Sequence, residues 1–478
     1  MILALSLFGV MAASLPAARA QAPDAGASAD SGQATSATAQ PGGVRFGDLR
    51  DQAAPVPWWQ RVTSFGGLLG MVVIAWAMST HRRRVPWRVI GWGIALQLVF
   101  GIFVMKTSVG RALFTFLNEA VKGLLGFTAA GSGFIFQQFG ENDASKWLAT
   151  FAFGVLPTII FFSSLMAVLY HLGVMQRAVS GIAWIMRRTM GTSGAETLST
   201  AANIFVGQTE APLVIRPYVG TMTLSELNAV MVAGFATVAG GVLAAYVGML
   251  EGYFPDIAGH LIAASVMSAP AALIVAKVML PETEHSPTSG GAKISVEKID
   301  VNVIDAAARG AGEGMKLALN VAAMLLAFLA LVALLNWCLA APVTWYNDWT
   351  GAGVTPLTLE RLLGWLFWPI ALLMGVPPED CATVGTLLGE KMVLNEFVAY
   401  KHMADMLSAG TPMGYRSVVI ASYALCGFAN FGSIAIQIGG IGGIAPERRG
   451  DLAKLGMRAM IGGTLAACMT ATVAGMFV

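Results

Sequence analysis

The residues best suited to bind a solute lie in a polar stretch, residues 203–217, set between apolar segments of membrane length. Gln208, Thr209 and Glu210 are consecutive in it, with a glycine directly before them and a proline two residues after them. On a regular helix these side chains would point about 100° apart, so they could hardly meet one ligand. The glycine and the proline therefore predict a broken helix. A carboxylate on a broken helix at membrane depth indicates a functional site.

A second set of polar residues lies in the later apolar segments. Glu396 occurs in an interrupted region, and Asn430 and Ser433 occur among small residues at 426–433. A carboxylate accepts hydrogen bonds from hydroxyl groups, whereas asparagine and serine both donate and accept them. Phe428 can supply a flat apolar wall. Gln208 and Thr209 of the first set suit an amide-like edge, and the second set suits hydroxyl groups. Because no basic cluster for a phosphate accompanies either set, the two together predict a neutral polar solute with sugar-like and amide-like parts.

The composition indicates the class of protein. Of 478 residues, 56% are hydrophobic and 12% are charged, whereas soluble domains carry about 25% charged residues. With 55 glycines and a mean hydropathy of +0.68, the chain is predicted to be an all-α polytopic membrane protein. The net charge of +2 gives no indication of a nucleic-acid partner. The chain has no H-E-x-x-H or G-x-S-x-G motif, so neither an enzyme nor a cofactor is expected.

Apolar runs and loop charges predict the topology. About eight transmembrane helices are expected, together with two re-entrant hairpins and interfacial helices, the first of them at 110–136. Arginine clusters at 81–84, 187–188 and 446–449 predict the cytoplasmic side. A signal peptide at 1–20 agrees with this orientation. Both termini are then expected in the periplasm, with the protein in the bacterial inner membrane.

The two buried carboxylates indicate an inverted repeat. Glu210 and Glu396 each lie in a hairpin that is followed by an interrupted helix, and three predicted spans separate them. The predicted division is a signal peptide, 1–20; a disordered periplasmic tail, 21–56; scaffold and interfacial helices, 57–192; a first transport half, 193–280; a cytoplasmic linker, 281–315; a scaffold helix with an interfacial segment, 316–364; and a second transport half, 365–478.

Three motifs carry a family resemblance. The segments GQTEAPL at 207–213, NEFVAY at 395–400 and GFANFGSIAIQIGG at 427–440 resemble the concentrative nucleoside transporters, in the family's order. The resemblance implies a homotrimer in membrane lipid that imports nucleosides, driven by a sodium gradient, through an elevator-type movement. Proton coupling, or transport of another neutral polar solute, remains an alternative. An uncoupled channel is not favoured, because it would not need two closing hairpins.

The resemblance also implies roles for single residues. The nucleobase contacts it implies are Gln208, Thr209, Glu210 and Val242, and the ribose contacts are Glu396, Asn430, Ser433 and Phe428. The implied sodium ligands are the side-chain oxygens of Asn203 and Thr237 and the backbone carbonyls of Val206 and Val238.

Each group also has a purely structural interpretation. Glu396 could form an ion pair with nearby Lys391. Asn430 and Ser433 could hydrogen-bond neighbouring helices to one another, and the Thr237 hydroxyl could bond back to its own helix.

Overall fold

The computed structural model describes residues 57–136, 155–289, 300–410 and 413–478. The described residues contain helices and no strands, which confirms the predicted all-α class. Four predictions fall wholly or partly outside the described residues: the signal peptide at 1–20, the tail at 21–56, the first part of the span predicted at 147–174, and the middle of the linker predicted at 281–315.

The described residues before position 290 form helices α1 to α9. They are α1 Trp58–Ala77, α2 Trp87–Lys106, α3 Ser108–Phe136, α4 Leu156–His171, α5 Val174–Met190, α6 Gly194–Ala202, α7 Leu224–Ala236, α8 Gly240–Leu250 and α9 Ile257–Met279. Between α6 and α7 the chain forms a 3-10 helix, Ala211–Ile215, and a single helical turn, Arg216–Val219.

The described residues from position 300 onward form helices α10 to α16. They are α10 Val303–Thr350, α11 Leu359–Leu373, α12 Cys381–Val393, α13 Glu396–Ser408, α14 Tyr415–Leu425, α15 Phe431–Ile444 and α16 Arg449–Phe477, with a 3-10 turn at Pro446–Arg448 before the last.

Side-chain caps explain where several of these helices begin. Capping boxes open α6 and α7: in each, a serine or threonine is followed three residues later by a glutamate that bonds back to the cap residue's backbone N–H. Asn302, Asn395 and Asn430 cap α10, α13 and α15 by accepting hydrogen bonds from backbone N–H groups in the first turn. The last two caps lie at the polar segments that the sequence singles out.

Helices α9 and α16 form the centre of the molecule. They pack against each other, and α16 also packs against α1, α7 and α14. In the most apolar 18-residue stretch of each segment, 89% of the residues of α9 and 83% of those in the segment ending in α16 are buried. Across this contact, Ser268 Oγ of α9 and Thr470 Oγ1 of α16 lie 3.3 Å apart, within hydrogen-bond distance. The two halves of the chain are therefore joined through this helix pair.

Helix α10 differs from the other long helices because it is largely exposed. It packs along α4 through a short stripe of small residues that includes Gly310 and Gly314. A Cβ atom at either glycine would lie 2.7–2.8 Å from backbone atoms of α4, so side chains are excluded there. The last residues of the predicted linker at 281–315 belong to α10, and the linker itself stays a prediction.

Five described helices are long and apolar enough to cross a membrane: α2, the α7–α8 pair, α9, α10 and the segment ending in α16. A sixth arises if α4 and α5 count as one span, although they are bent by 77°. The span predicted at 417–445 is divided into α14 and α15 by a break at 426–430. The prediction of about eight spans, and the interfacial position of α3, stay predictions.

Each half contains two short helical arms that pack against each other. In the first, α6 packs against the 3-10 helix Ala211–Ile215; in the second, α12 packs against α13 across a break at Leu394 and Asn395. We call these pairs hairpin 1 and hairpin 2. An interrupted helix follows each hairpin: α7–α8, broken at 237–239, and α14–α15, broken at 426–430. The predicted order of hairpin and interrupted helix is therefore present twice.

Candidate substrate and cation site

The breaks of the two interrupted helices lie side by side. Gly427, in the second break, approaches the end of α7 so closely that a Cβ atom there would be 2.8 Å from the Phe235 carbonyl oxygen. On the other side of α7, a Cβ atom at Gly463 of α16 would be 2.3 Å from the Phe235 Cβ. Glycine is required where backbones approach to this degree. The contact brings polar groups from both halves of the chain together.

Glu396 is the centre of the ribose set predicted from the sequence. It is buried at the first position of α13, where the positive end of the helix dipole favours a carboxylate. Its Oε1 accepts a hydrogen bond from the Tyr246 hydroxyl at 2.9 Å, and its Oε2 accepts one from Asn430 Nδ2 at 3.0 Å. Asn430 Oδ1 in turn accepts from the Ser433 backbone N–H at 2.8 Å. Three predicted ribose contacts, Glu396, Asn430 and Ser433, therefore adjoin one another.

Gln208 connects hairpin 1 to the same cluster. Its side chain is buried, and its Nε2 donates to Ser433 Oγ at 3.1 Å. Its Oε1 accepts from Nε2 of Gln437 at 3.0 Å. The result is a continuous chain of hydrogen-bonded residues that joins hairpin 1, α15, hairpin 2 and α8: Gln437, Gln208, Ser433, Asn430, Glu396 and Tyr246.

The other predicted substrate contacts adjoin this chain without bonding to it. Thr209 is half-buried against Gly440 of α15, and its hydroxyl donates to Glu210 at 2.9 Å. Glu210 is exposed and turns back towards its own loop. Val242 is buried in the first turn of α8, and Phe428 is half-buried in the second break. The side chains of these last two residues are apolar, so they can offer only van der Waals contact.

The predicted sodium ligands lie where hairpin 1 meets the first break. The backbone N–H of Gly240 donates to the Phe205 carbonyl at 3.1 Å, which brings the turn after α6 against the start of α8. Asn203 is fully buried, and its Nδ2 donates to the Ser199 carbonyl at 3.1 Å, while its Oδ1 has no partner among the described residues. Such an unpaired buried oxygen is a ligand that a hard cation would take.

The other three predicted ligands lie close in the chain to the contact between Phe205 and Gly240. Val206 and Val238 are buried, each within four residues of that contact. The Thr237 hydroxyl donates to the Ala233 carbonyl at 2.9 Å, so it bonds back to its own helix as the structural interpretation predicts. Its oxygen still has lone pairs for a cation. This donor set fits sodium.

Two site residues are missed by the sequence reasoning. Gln437 lies four residues after Ser433, and Tyr246 lies four residues after Val242, so each shares a helix face with a predicted contact. That spacing is the signal that could have found them. Tyr246 is held in place by Tyr400, whose ring stacks on it with centroids 4.5 Å apart.

The ion-pair interpretation of Glu396 is not what the structure shows. Lys391 Nζ donates to the Ala424 carbonyl at 2.8 Å. Within the described ranges no salt bridge joins Lys391 to Glu396. The lysine therefore holds hairpin 2 against the end of α14, and the carboxylate is bonded by neutral donors instead.

Models of known protein families match most of the chain between residues 66 and 475. Three family models match in order: "Na+ dependent nucleoside transporter N-terminus" at residues 66–139, "Nucleoside recognition" at 152–252 and "Na+ dependent nucleoside transporter C-terminus" at 260–475. The solved structure of CNTnw in an inward-facing substrate-bound state is 41% identical, with a TM-score of 0.79; the match covers 87% of this chain and 98% of that one. The chain belongs to the concentrative nucleoside transporter family.

A second structure of CNTnw and a curated relative give the same result. An outward-facing state of a CNTnw double variant also has a TM-score of 0.79 and 41% identity, and the match covers 87% of this chain and 97% of that one. Sodium/nucleoside cotransporter 1 of Mus musculus is 42% identical over 430 residues, which is 87% of this chain. The chain spans 64% of the length of that relative.

Proposed function

We propose that this protein is a secondary active symporter that imports nucleosides across the bacterial inner membrane, driven by a sodium gradient. The observation that carries the proposal is the hydrogen-bonded chain from Gln208 to Tyr246, which joins both hairpins and both interrupted helices. A polar site at the meeting point of inverted repeats is typical of secondary transporters. The names of the mouse relative and of two matched family models, which mention sodium and nucleosides, support it.

In this proposal the ribose binds at Glu396, Asn430 and Ser433. A carboxylate has about four lone-pair sites, and the structure uses two of them, for Tyr246 and Asn430. The others would accept ribose hydroxyls. Ser433 Oγ accepts from Gln208, so its own hydrogen is available to donate. Phe428 would provide the apolar wall of this part of the site.

The nucleobase would bind against hairpin 1 and α8, at Gln208, Thr209, Glu210 and Val242. Amide, hydroxyl and carboxylate groups match the donors and acceptors of a base edge. The side chains of Thr209 and Glu210 bond to each other. A base that bonds to either would therefore replace or share a partly exposed contact.

Sodium would bind at Asn203, Val206, Thr237 and Val238. The unpaired Oδ1 of Asn203 is the observation that supports this assignment. Because the ion would lie between hairpin 1 and the first break, it would order the turn that carries the nucleobase contacts. Binding of sodium and of nucleoside would then be mutually favourable, by linkage.

The proposed function brings with it the domain division, the movement, the oligomeric state and the topology that the sequence predicts. Scaffold and transport parts would follow the predicted division, with the transport part moving as an elevator inside a homotrimer. The exposed, apolar face of α10 supports a surface for membrane lipid and for further copies of the chain. Both termini would face the periplasm, and the linker before α10 would face the cytoplasm.

Uptake into proteoliposomes tests the function. With an inward sodium gradient we expect saturable uptake of labelled uridine, and with choline in place of sodium we expect none. Adenosine should compete with uridine, whereas uracil and uridine monophosphate should not, because they lack the ribose or add a phosphate. Uptake that follows a pH gradient and ignores sodium would indicate proton coupling. Inhibition by uracil as strong as that by uridine would contradict the ribose site.

A further inference from the structure

We propose that Gln437 is a positioning residue that fixes which end of the Gln208 amide faces the nucleobase. The inference rests on the proposed function. Gln437 lies on α15 and is fully buried. Its Nε2 donates to the Met231 carbonyl of α7 at 3.1 Å and to Gln208 Oε1 at 3.0 Å. Gln437 therefore connects a backbone carbonyl to a side chain of the nucleobase site.

The orientation of both amides follows from the Met231 carbonyl. A carbonyl oxygen only accepts hydrogen bonds, so Gln437 must turn its Nε2 towards it. The second hydrogen of the same Nε2 then reaches Gln208 Oε1. In the opposite orientation, Gln437 would place its own oxygen against two other oxygens, a repulsive arrangement. Gln208 is therefore obliged to turn its nitrogen away from Gln437, towards the site.

This orientation leaves one N–H donor for the substrate. Of the two hydrogens on Gln208 Nε2, one is used by Ser433 Oγ at 3.1 Å. Since Ser433 belongs to the ribose part of the site, the second hydrogen lies near the junction of ribose and base. The base atoms nearest the glycosidic bond that accept hydrogen bonds are O2 of pyrimidines and N3 of purines. An N–H donor at this place can bond to both classes of nucleoside, and it disfavours analogues that lack the accepting atom.

Close packing supports a dedicated contact between the two glutamines. Gly234 of α7 lies directly against them: a Cβ atom there would be 2.8 Å from Gln437 Nε2 and 2.9 Å from Gln208 Cβ. A side chain at position 234 would therefore force both glutamine side chains to shift. The two amides therefore have little freedom to exchange partners.

The test compares adenosine with 3-deazaadenosine, in which a C–H group replaces N3. Both compete for sodium-driven uridine uptake in proteoliposomes. For the wild-type protein we expect 3-deazaadenosine to bind roughly tenfold more weakly, because a buried donor is left unpaired. In Gln437→Met the Gln208 amide is free to rotate. We expect the ratio of the two inhibition constants, 3-deazaadenosine over adenosine, to fall to about two or less. Gln97→Met is the matched control, since Gln97 is buried on α2 and donates only to its own helix, at Gly93.

A second variant is expected to reverse the preference between adenosine and 3-deazaadenosine. In Gln437→Glu the new side chain accepts from Gln208 whether it is ionised or donates its one proton to Met231. Gln208 then has to present Oε1 to the site, which repels N3 and tolerates the C–H group. We expect this variant to prefer 3-deazaadenosine over adenosine. A loss of packing alone would weaken both compounds together and would not reverse their order.

The outcomes separate this inference from the proposed function. A wild-type ratio near one, or a large ratio that stays unchanged in both Gln437 variants, would overturn the role of Gln437 while uridine uptake itself persists. The same holds if Gln97→Met lowers the ratio as much as Gln437→Met does. Absence of saturable uridine uptake by the wild-type protein would instead contradict the proposed function, and this inference with it.

Discussion

In the first half of the core the break between α7 and α8 spans residues 237–239, whereas in the second half the break between α14 and α15 spans 426–430. The second break is capped: Asn430 accepts from the N–H of Ser433 and donates to Glu396. The first break ends at Ala239, the residue before α8, which has no capping side chain. The two halves share their order of elements but satisfy their broken helices differently.

The difference indicates which half responds to ligands. In the second half, Glu396 has a donor on each oxygen before any substrate binds. In the first half, Asn203 Oδ1 is buried without a partner among the described residues. Leaving a buried acceptor unpaired costs about 1–3 kcal/mol, and a bound cation would remove that cost. We therefore expect the second half to be pre-formed and the first half to be completed by its ion.

The largest effect is expected from the pre-formed half. Glu396→Gln removes the charge that Tyr246 and Asn430 share, and we expect uridine uptake to fall roughly 100-fold, as for the loss of strong hydrogen bonds to a charged group. Glu390→Gln is the matched control, because Glu390 is also buried in hairpin 2 but pairs with His402. Initial rates in proteoliposomes measure both variants. Equal losses in the two would mean that hairpin 2 needs its charges only to fold.

A smaller effect, on stability, is expected from a substitution that pushes the two helix breaks apart. Gly427→Ala introduces a Cβ atom 2.8 Å from the Phe235 carbonyl oxygen, and we expect a loss of about 1–3 kcal/mol in stability from overpacking. Gly439→Ala, on α15, meets nothing within 4 Å and serves as the control. Thermal denaturation in detergent reports the difference. If both variants denature like the wild type, the breaks do not press on each other as described.

The half completed by its ion is tested at Asn203. Asn203→Ala removes the unpaired oxygen, and we expect the sodium concentration for half-maximal uptake to rise roughly tenfold, with uridine affinity unchanged at saturating sodium. Asn228→Ala is the control, since Asn228 is also buried with an unpaired Oδ1 but bonds to α9. A sodium titration that shifts equally in both variants would remove the assignment of Asn203 as a ligand.

The smallest effect concerns a cap alone. Asn395→Ala removes the side chain that accepts from Val398 N at 3.0 Å, and we expect about 1 kcal/mol of destabilisation. Asn395→Ser keeps a capping oxygen and should recover most of it. Thermal denaturation with and without uridine measures both. A loss in Asn395→Ser as large as in Asn395→Ala would show that the cap is not what the asparagine contributes.

The sequence predicts the breaks in the helices better than the partners of their side chains. Gly207 and Pro212 correctly indicate a broken helix, because backbone preferences are local. For Gln437 and Tyr246 the only signal in the sequence is the four-residue spacing from a predicted contact. Each is a single polar side chain within an apolar helix, and its role depends on residues more than 100 positions away. Such contacts depend on tertiary packing, which the spacing of residues along the chain does not determine.

Element boundaries show the same limit. The predicted linker extends to residue 315, yet α10 begins at Val303, directly after the cap residue Asn302. Charged residues such as Arg309 and Glu313 at the start of α10 lower its hydropathy, so a scale that detects apolar spans assigns them to a loop. The asparagine cap, with Asp305 bonded to it, is the signal that could have placed the start.

The length of α10 has a consequence for the surrounding bilayer. Its 48 residues correspond to a rod of about 72 Å, more than twice the hydrocarbon thickness of about 30 Å. A rod of that length cannot stand upright within the apolar layer, so it must tilt or extend into the headgroups on at least one side. Its described contacts are mainly with α4. We therefore expect a thinner or thicker bilayer to be accommodated by a change in the tilt of this rod, with little change to the packing of the core.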